Sequence, residues 1–339
     1  MNTQIEIPDS WERLSLDGLS GLFMIIGAPD SGKSTFARYL FSRLSTYHER
    51  IAFIDGDVGQ TTLGPPTTMT LAVYENRRQE SSNSLPTVFT SETESSLVGA
   101  NPLTNSPSPL LGTFRVFVGS TSPRGHMLQT VIGLHKLVRQ AHKLRATAIV
   151  LDTTGLVAQD QGGTILKLCK IDLLEPKVVF AIRRDRELEH ILIPLRRSSR
   201  TNLVELSPAS AITPRDFATR RAHRREAFRR YFANASSLEI QWTKFAVVPS
   251  PAFQQGRLVA LEDRRGFTLG LGIVLLIDSP QRLVSLLTPL RSADRLDTIK
   301  IGNLWLDPQT FEERRRWGIV SSQSQSQPDD NPDESKYDL

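Results

Sequence analysis

A chain of 339 residues, 39% hydrophobic, with a net charge of +5 at pH 7, has room for one large domain or for a medium domain with a smaller companion. Its single cysteine, Cys169, excludes an intrachain disulfide, so nothing calls for an oxidising compartment. The opening MNTQIEIPDS lacks the basic start and apolar stretch of a secretory signal. The longest apolar run, Leu269–Ile277, is broken by Gly270 and Gly272 and is far too short to span a bilayer, so a soluble, cytoplasmic protein with no membrane partner is expected.

After a lead-in over residues 1–20, the apolar run Leu22–Ile26 reads as a buried strand. It enters Gly27-Ala28-Pro29-Asp30-Ser31-Gly32-Lys33-Ser34-Thr35, which fits G-x-x-x-x-G-K-S. The segment Ser34–Ser45 follows, with Phe36, Ala37, Leu40, Phe41 and Leu44 at helical spacing. A strand before such a loop and a helix after it mark a phosphate-binding loop. Its backbone amides and the helix N-terminus face a polyphosphate, Lys33 reaches the β- and γ-phosphates, and the Ser34 hydroxyl is a Mg²⁺ ligand. A nucleoside triphosphate, ATP or GTP, with Mg²⁺ is therefore the expected cofactor pair.

A second strand, Ile51–Ile54, ends in Asp55-Gly56-Asp57-Val58-Gly59-Gln60. Residues past the carboxyl end of a parallel strand face the ligand crevice. Asp57 is the favoured candidate for activating an attacking hydroxyl or assisting Mg²⁺, and Asp55 is as readily a turn-former. The stretch 76–110, rich in Ser, Thr, Asn and Glu, reads as a long surface insertion. Phe114–Val118 reads as a strand leading into Gly119–His126, where Thr121, Ser122 and Arg124 could line an anionic site. A helix is expected over Met127–Leu144. The strand Ala148–Leu151 follows and ends in Asp152-Thr153-Thr154-Gly155, a place for a Mg²⁺-associated acid or a γ-phosphate sensor.

The helix Thr164–Leu173 and the strands Val178–Ile182 and Leu203–Leu206 complete an alternating pattern. It indicates an α/β fold with a mostly parallel sheet covered on both faces. Ten arginines fall between Arg196 and Arg230, with no lysine among them. Arg215, Arg220, Arg221, Arg224, Arg225, Arg229 and Arg230 crowd a helical segment ending at Tyr231-Phe232. Arginine binds phosphate bidentately and stays charged, so this run suits a lid over a triphosphate or a track for a nucleic-acid backbone. Scattered histidines without cysteine pairs give no support for zinc. Beyond residue 240, the runs Phe245–Val248, Leu258–Leu261, Leu269–Ile277 and Ile299–Leu306 suggest a small antiparallel β domain over 240–318. The Ser/Gln-rich, then acidic stretch 321–339 has almost nothing to bury and is expected to be disordered.

Taken together, these residues resemble the Clp1/Grc3 family of polynucleotide 5′-hydroxyl kinases over roughly residues 20–235. The resemblance rests on Gly27–Thr35, on Asp57-Val58-Gly59-Gln60 with Gly64-Pro65-Pro66-Thr67, and on Thr121-Ser122-Pro123-Arg124-Gly125. The Asp152–Gly155 turn and the arginine run into Tyr231-Phe232 complete the order. It implies that a P-loop kinase domain over 21–235 transfers the γ-phosphoryl of ATP or GTP to the 5′-hydroxyl of RNA or DNA. Asp57 would be the base or Mg²⁺-associated acid, and Lys33, Ser34 and Asp152 the nucleotide and metal contacts. Gln60, Thr121, Ser122 and Arg124 would hold the substrate end. A lid over 213–232 would bring Arg215, Arg220, Arg221 and Arg224 to the phosphates and substrate.

Two departures stand out. The family's eukaryotic members carry Asn-Thr-x-Gly-Trp where this chain has Asp152-Thr153-Thr154-Gly155-Leu156, and their large N-terminal β domain is not expected here. A compact form similar to prokaryotic relatives is implied. The competing readings are an ATP-bound adaptor without kinase activity, a P-loop ATPase or GTPase switch, and a small-molecule kinase. Partitioning ATPases carry a signature lysine where this chain has Ala28. Protein partners are not legible.

Overall fold

A computed structural model of the chain describes residues 7–76, 110–198, 200–209 and 215–314. Most of the expected insertion over 76–110, the expected tail over 321–339 and the first two residues of the expected lid, 213–214, lie outside the described residues.

A short helix α1 (Asp9–Glu12) precedes strand β1 (Gly21–Gly27), which is buried from Leu22 onward. Then come α2 (Lys33–Ser45), β2 (Arg50–Gly56), β3 (Thr68–Glu75), β4 (Leu110–Phe117), α3 (Met127–Lys143) and β5 (Ala148–Thr153). The first layer closes with α4 (Gly163–Leu174), β6 (Val178–Ile182), α5 (Glu189–Arg196), β7 (Asn202–Leu206) and α6 (Phe217–Phe232). The seven strands run in the order β4-β3-β2-β5-β1-β6-β7. From β2 to β7 all neighbours are parallel, whereas β3 pairs antiparallel with both β2 and β4. Two successive reversals turn β4 back to the direction of β2, so the Gly119–His126 loop leaves the sheet on the same side as the ends of β1, β2 and β5.

Alternation along each strand divides the core. Met24, Ile26, Ile149, Leu151 and Val179 meet Leu134 and Leu137 of α3, Ile171 and Leu174 of α4, and Ile191 of α5. Phe23, Ile25, Val150, Phe180 and Ile182 face the other way, onto Phe36, Leu40 and Phe41 of α2 and Trp11 of α1. Trp11 packs edge-on to Phe36 with centroids 5.0 Å apart and donates its indole N–H to the Ser207 carbonyl at 3.0 Å.

The second sheet uses β8 (Ser236–Gln241), β9 (Ala246–Val248), β10 (Arg257–Glu262), β11 (Thr268–Asp278), β12 (Leu283–Thr288), β13 (Thr298–Leu306) and β14 (Glu313–Arg314). Its order is β14-β13-β10-β11-β12-β8, antiparallel throughout, with β9 added parallel to β13. One face joins the first layer through Phe117 of β4 and Phe228 and Phe232 of α6. Its first strand begins at Ser236, four residues ahead of the expected start at 240.

Candidate active site

β1 delivers the chain to Gly27 at the centre of the sheet. A Cβ there would collide with the Ser31 hydroxyl and approach the Ile182 carbonyl oxygen to 2.7 Å. Gly32, at φ +88°, turns the chain into α2 in a conformation that side chains rarely adopt. The loop closes around its own lysine: Lys33 Nζ donates to the Ala28 carbonyl at 2.6 Å. Lys33 is 6% exposed. Its burial lowers its pKa against the opposing pull of Asp152, Asp57 and Asp30. Ser31 Oγ is buried with no hydrogen-bond partner, while Pro29 stands exposed at the rim and Ser34 and Thr35 are half-buried.

Three carboxylates gather at the neighbouring strand ends. Asp55 of β2 lies directly across from Asp152 of β5 in the sheet register. Asp55 is enclosed, and its Oδ2 accepts from the Thr61 hydroxyl at 2.9 Å and from the amides of Thr62 and Leu63 at 2.5 and 3.0 Å. Its Oδ1 takes the Asp57 amide at 3.1 Å. Both oxygens are thus committed to shaping the 57–63 loop. Burial raises the Asp55 pKa, and these amide donors oppose the rise. Asp57 is half-buried, and its Oδ1 accepts from the amides of Gly59 and Gln60, each at 2.9 Å. Both bonds fall on one oxygen.

Asp152 is 2% exposed and its Oδ1 has no hydrogen-bond partner. Burial, then the Asp55 charge, push its carboxyl up to about 7, while a hydrogen bond from the Ser34 hydroxyl and the Lys33 ammonium pull it back. A hydroxyl paired with a carboxylate that has one open oxygen fits Mg²⁺, which takes few protein ligands and keeps water and phosphate oxygens. Asp57 shares the electrostatic environment of Lys33 and Asp152. Among the described residues no group of three or more His, Cys, Asp or Glu could hold a metal without such help.

The arginines divide into two sets. The Arg215 amide and the Arg220 guanidinium converge on Asp30 Oδ2 of the P-loop, at 3.0 and 2.5 Å. Burial pushes the Asp30 carboxyl up, but these two donors outweigh it and hold it below its ordinary value. Gln60 Nε2 donates to the Arg220 carbonyl at 3.3 Å, which ties the Asp57 loop to the start of α6. Arg221 and Arg224, expected at the phosphates and substrate, turn instead onto β14. Arg221 donates to the Glu313 carbonyl at 2.9 Å, Arg224 pairs with the Glu313 carboxylate, and Arg225 reaches Glu312 at 2.8 Å. The cause is helical phase. Positions 221, 224, 225 and 228 share one stripe of α6, and Phe228 anchors that stripe in the second sheet's core. Arg220 lies off it.

The Gly119–His126 loop rests on the Asp57 loop: a Cβ on Gly59 would approach the Thr121 carbonyl oxygen to 2.6 Å. The Ser122 hydroxyl accepts from the Arg124 amide at 3.2 Å, and the Arg124 side chain is exposed. Asn303 of β13 donates its amide N–H to the Gly119 carbonyl at 2.7 Å, and its side chain meets His126 Nε2 at 3.2 Å. The second sheet therefore braces both the Thr121 loop and α6. Sequence reasoning missed Asn303, Glu312 and Glu313, since each acts across a long sequence gap. It also missed Arg184, whose guanidinium donates to the Asp30 carbonyl at 2.9 Å. Its position just past the end of β6 was an available signal. Among the described residues, no helix is long and apolar enough to cross a membrane.

Residues 27–234 match the family model described as the P-loop of the mRNA cleavage and polyadenylation factor CLP1. A polyribonucleotide 5′-hydroxyl-kinase of Pyrococcus abyssi is 25% identical over 83% of this chain and 86% of its own length. Kinases so named from Pyrococcus horikoshii and Methanocaldococcus jannaschii are 29% and 28% identical, and the chain spans 55% and 64% of their lengths. Among solved structures, Clp1p in complex with Pcf11p superposes with a TM-score of 0.61 at 16% identity, covering 87% of this chain and 77% of that one. That likeness concerns the fold. The family match covers the P-loop, the three carboxylates and α6 together, and the chain belongs to the Clp1 P-loop family of nucleotide-binding proteins.

Proposed function

We propose that the chain transfers the γ-phosphoryl group of ATP or GTP to the 5′-hydroxyl end of a polynucleotide, with RNA the first acceptor to test because the curated archaeal relatives are named polyribonucleotide 5′-hydroxyl-kinases. The observation that carries this reading is the convergence of Lys33, Asp57 and Asp152 at adjacent strand ends under an arginine-bearing helix. Phosphoryl transfer asks for positioning and charge neutralisation more than covalent chemistry, and this arrangement supplies both.

In this reading the loop Gly27–Thr35 wraps the nucleotide phosphates and Lys33 leaves the Ala28 carbonyl to meet them. Ser34 and Asp152 would hold Mg²⁺, which when bound neutralises phosphate charge. Asp57 uses Oδ1 to fix its own loop and turns the rest of its carboxylate to the acceptor hydroxyl as general base. Thr121, Ser122 and Arg124 grip the acceptor end. Arg215 and Arg220, held over the P-loop by Asp30, form the phosphate-facing part of the lid. Arg221 and Arg224 anchor α6 and do not touch phosphate. A kinase domain over 21–235, a β-rich companion after it and a cytoplasmic setting belong to the same proposal. Incubating the protein with γ-labelled ATP, magnesium chloride and 5′-hydroxyl RNA or DNA oligomers tests it. Label should move to the 5′ end, and tight ATP binding without transfer would favour the adaptor reading.

A further inference from the structure

Lys167 and Lys170 lie one turn apart on α4 and are both 0% exposed. Lysine is almost never fully enclosed unless paired. Among the described residues neither has a carboxylate partner: Lys167 Nζ donates to Thr153 Oγ1 at 2.8 Å and to the Thr154 carbonyl at 2.5 Å, and Lys170 Nζ has no hydrogen-bond partner there. Thr153 Oγ1 passes the bond on to the Ile25 carbonyl at 2.7 Å. One buried lysine side chain therefore links α4, the end of β5 and the strand that carries the P-loop.

The Asp152–Gly155 turn fixed in this way touches the nucleotide loop. A Cβ on Gly155 would approach the backbone of Pro29 to 2.8 Å. Thr154 itself is 3% exposed, and its hydroxyl is buried with no hydrogen-bond partner. The Ser31 hydroxyl and Asp152 Oδ1 share that condition on the same two turns. An unsatisfied buried polar atom is costly, so three of them on these two touching turns mark a place built for a polar ligand. Lys33, which serves terminal phosphates in such loops, is held at the carbonyl of Ala28, the residue before Pro29.

We propose that Lys167 is a positioning residue: it holds the Thr153–Gly155 turn so that the Thr154 hydroxyl hydrogen-bonds the terminal phosphate of a bound nucleoside triphosphate. The inference rests on the nucleotide site described above and is independent of the acceptor. A nucleoside diphosphate lacks the group Thr154 would meet, so the pair should discriminate between the two nucleotides.

Calorimetric titration of the full chain with ATP and with ADP, in magnesium chloride, tests this. Thr154→Val should reduce the preference for ATP over ADP about five-fold or more, with ADP affinity held within two-fold. Lys167→Met should reduce it equally, Lys167→Gln, which keeps a donor, should fall between, and the double variant should be no worse than the singles, because both act on one contact. Lys170→Met, which leaves the turn's hydrogen bonds in place, should keep the wild-type preference. An unchanged ratio in Thr154→Val overturns the proposal even if Lys167→Met fails to fold. Equal loss of ATP and ADP affinity in Lys167→Met, or strict additivity in the double variant, overturns it as well. A protein that shows this discrimination but labels no 5′ end would uphold the inference and defeat the kinase reading.

Discussion

The Arg220 guanidinium donates to the Asp30 carboxylate at 2.5 Å, which places a lid arginine on the rim of the phosphate-binding loop. One residue further, Arg221 points to the Glu313 carbonyl of the second sheet. A single helical step thus separates an arginine tied to the P-loop from one tied to the second sheet.

Kinetics should register that step. Arg220→Ala is expected to lower kcat by more than ten-fold, about 1.4 kcal/mol of transition-state stabilisation. Arg221→Ala and Arg225→Ala should stay within about three-fold of wild type. Arg224→Ala should act on stability, since it strips the Glu313 carboxylate of its guanidinium, at a cost of about 1–3 kcal/mol. Steady-state assays with both substrates saturating, alongside thermal melts, separate the two classes. Equal kcat losses at Arg220 and Arg221 would contradict the division of α6.

The two aspartates of β2 and its loop should part in the same way. Asp57→Asn is expected to reduce kcat by roughly 10²–10⁴ while nucleotide affinity stays within a few-fold, the range for loss of a general base. Asp55→Asn should lower the melting temperature, because the backbone amides of Asp57, Thr62 and Leu63 all converge on its carboxylate. If Asp55→Asn melts like wild type and loses as much kcat as Asp57→Asn, the roles are exchanged.

Lys170 gives a pH signature. Burial brings its pKa from 10.5 down to about 8, against the pull of Asp57. A base whose folded pKa lies below its unfolded one is a penalty on the fold at low pH. The penalty is complete below about pH 8, shrinks between the two values and vanishes above the unfolded one. Its size is about 3 kcal/mol. Lys170→Met should therefore melt several degrees above wild type at pH 7, and the gap should close as the pH rises past 8 towards 10.5. A gap that does not move with pH would assign the gain to packing alone.

The features legible in the sequence were local. Gly27 through Ser34 carries its own context, a buried strand before and an amphipathic helix after, so the P-loop could be read without the fold. Asp57 and Asp152 were legible as polar residues at the ends of apolar runs. β3 was not, since Thr68–Glu75 lies between the Gly64-Pro65-Pro66 turn and a polar stretch that hides its buried character. α5 was obscured by its short length and by Pro194 inside it, and β8 and β12 by modest alternating patterns. The arginine run looked uniform because charge alone does not say which face of a helix is covered. Of the residues that decide it, Glu312 lies 87 residues from its partner Arg225, and Glu313 lies 89 residues from its partner Arg224. Nothing in the sequence of α4 sets Lys167 and Lys170 apart from exposed lysines, and only its packing shows that they are enclosed.

Transfer of label from γ-labelled ATP to matched oligonucleotides bearing a 5′-hydroxyl or a 5′-phosphate tests the central claim most directly. The wild-type chain should label only the 5′-hydroxyl oligomer, and Lys33→Ala, folded to the same extent, should label neither. Release of free phosphate with no labelled oligomer, or labelling that survives Lys33→Ala, would contradict the assignment of this site to a polynucleotide 5′-hydroxyl kinase.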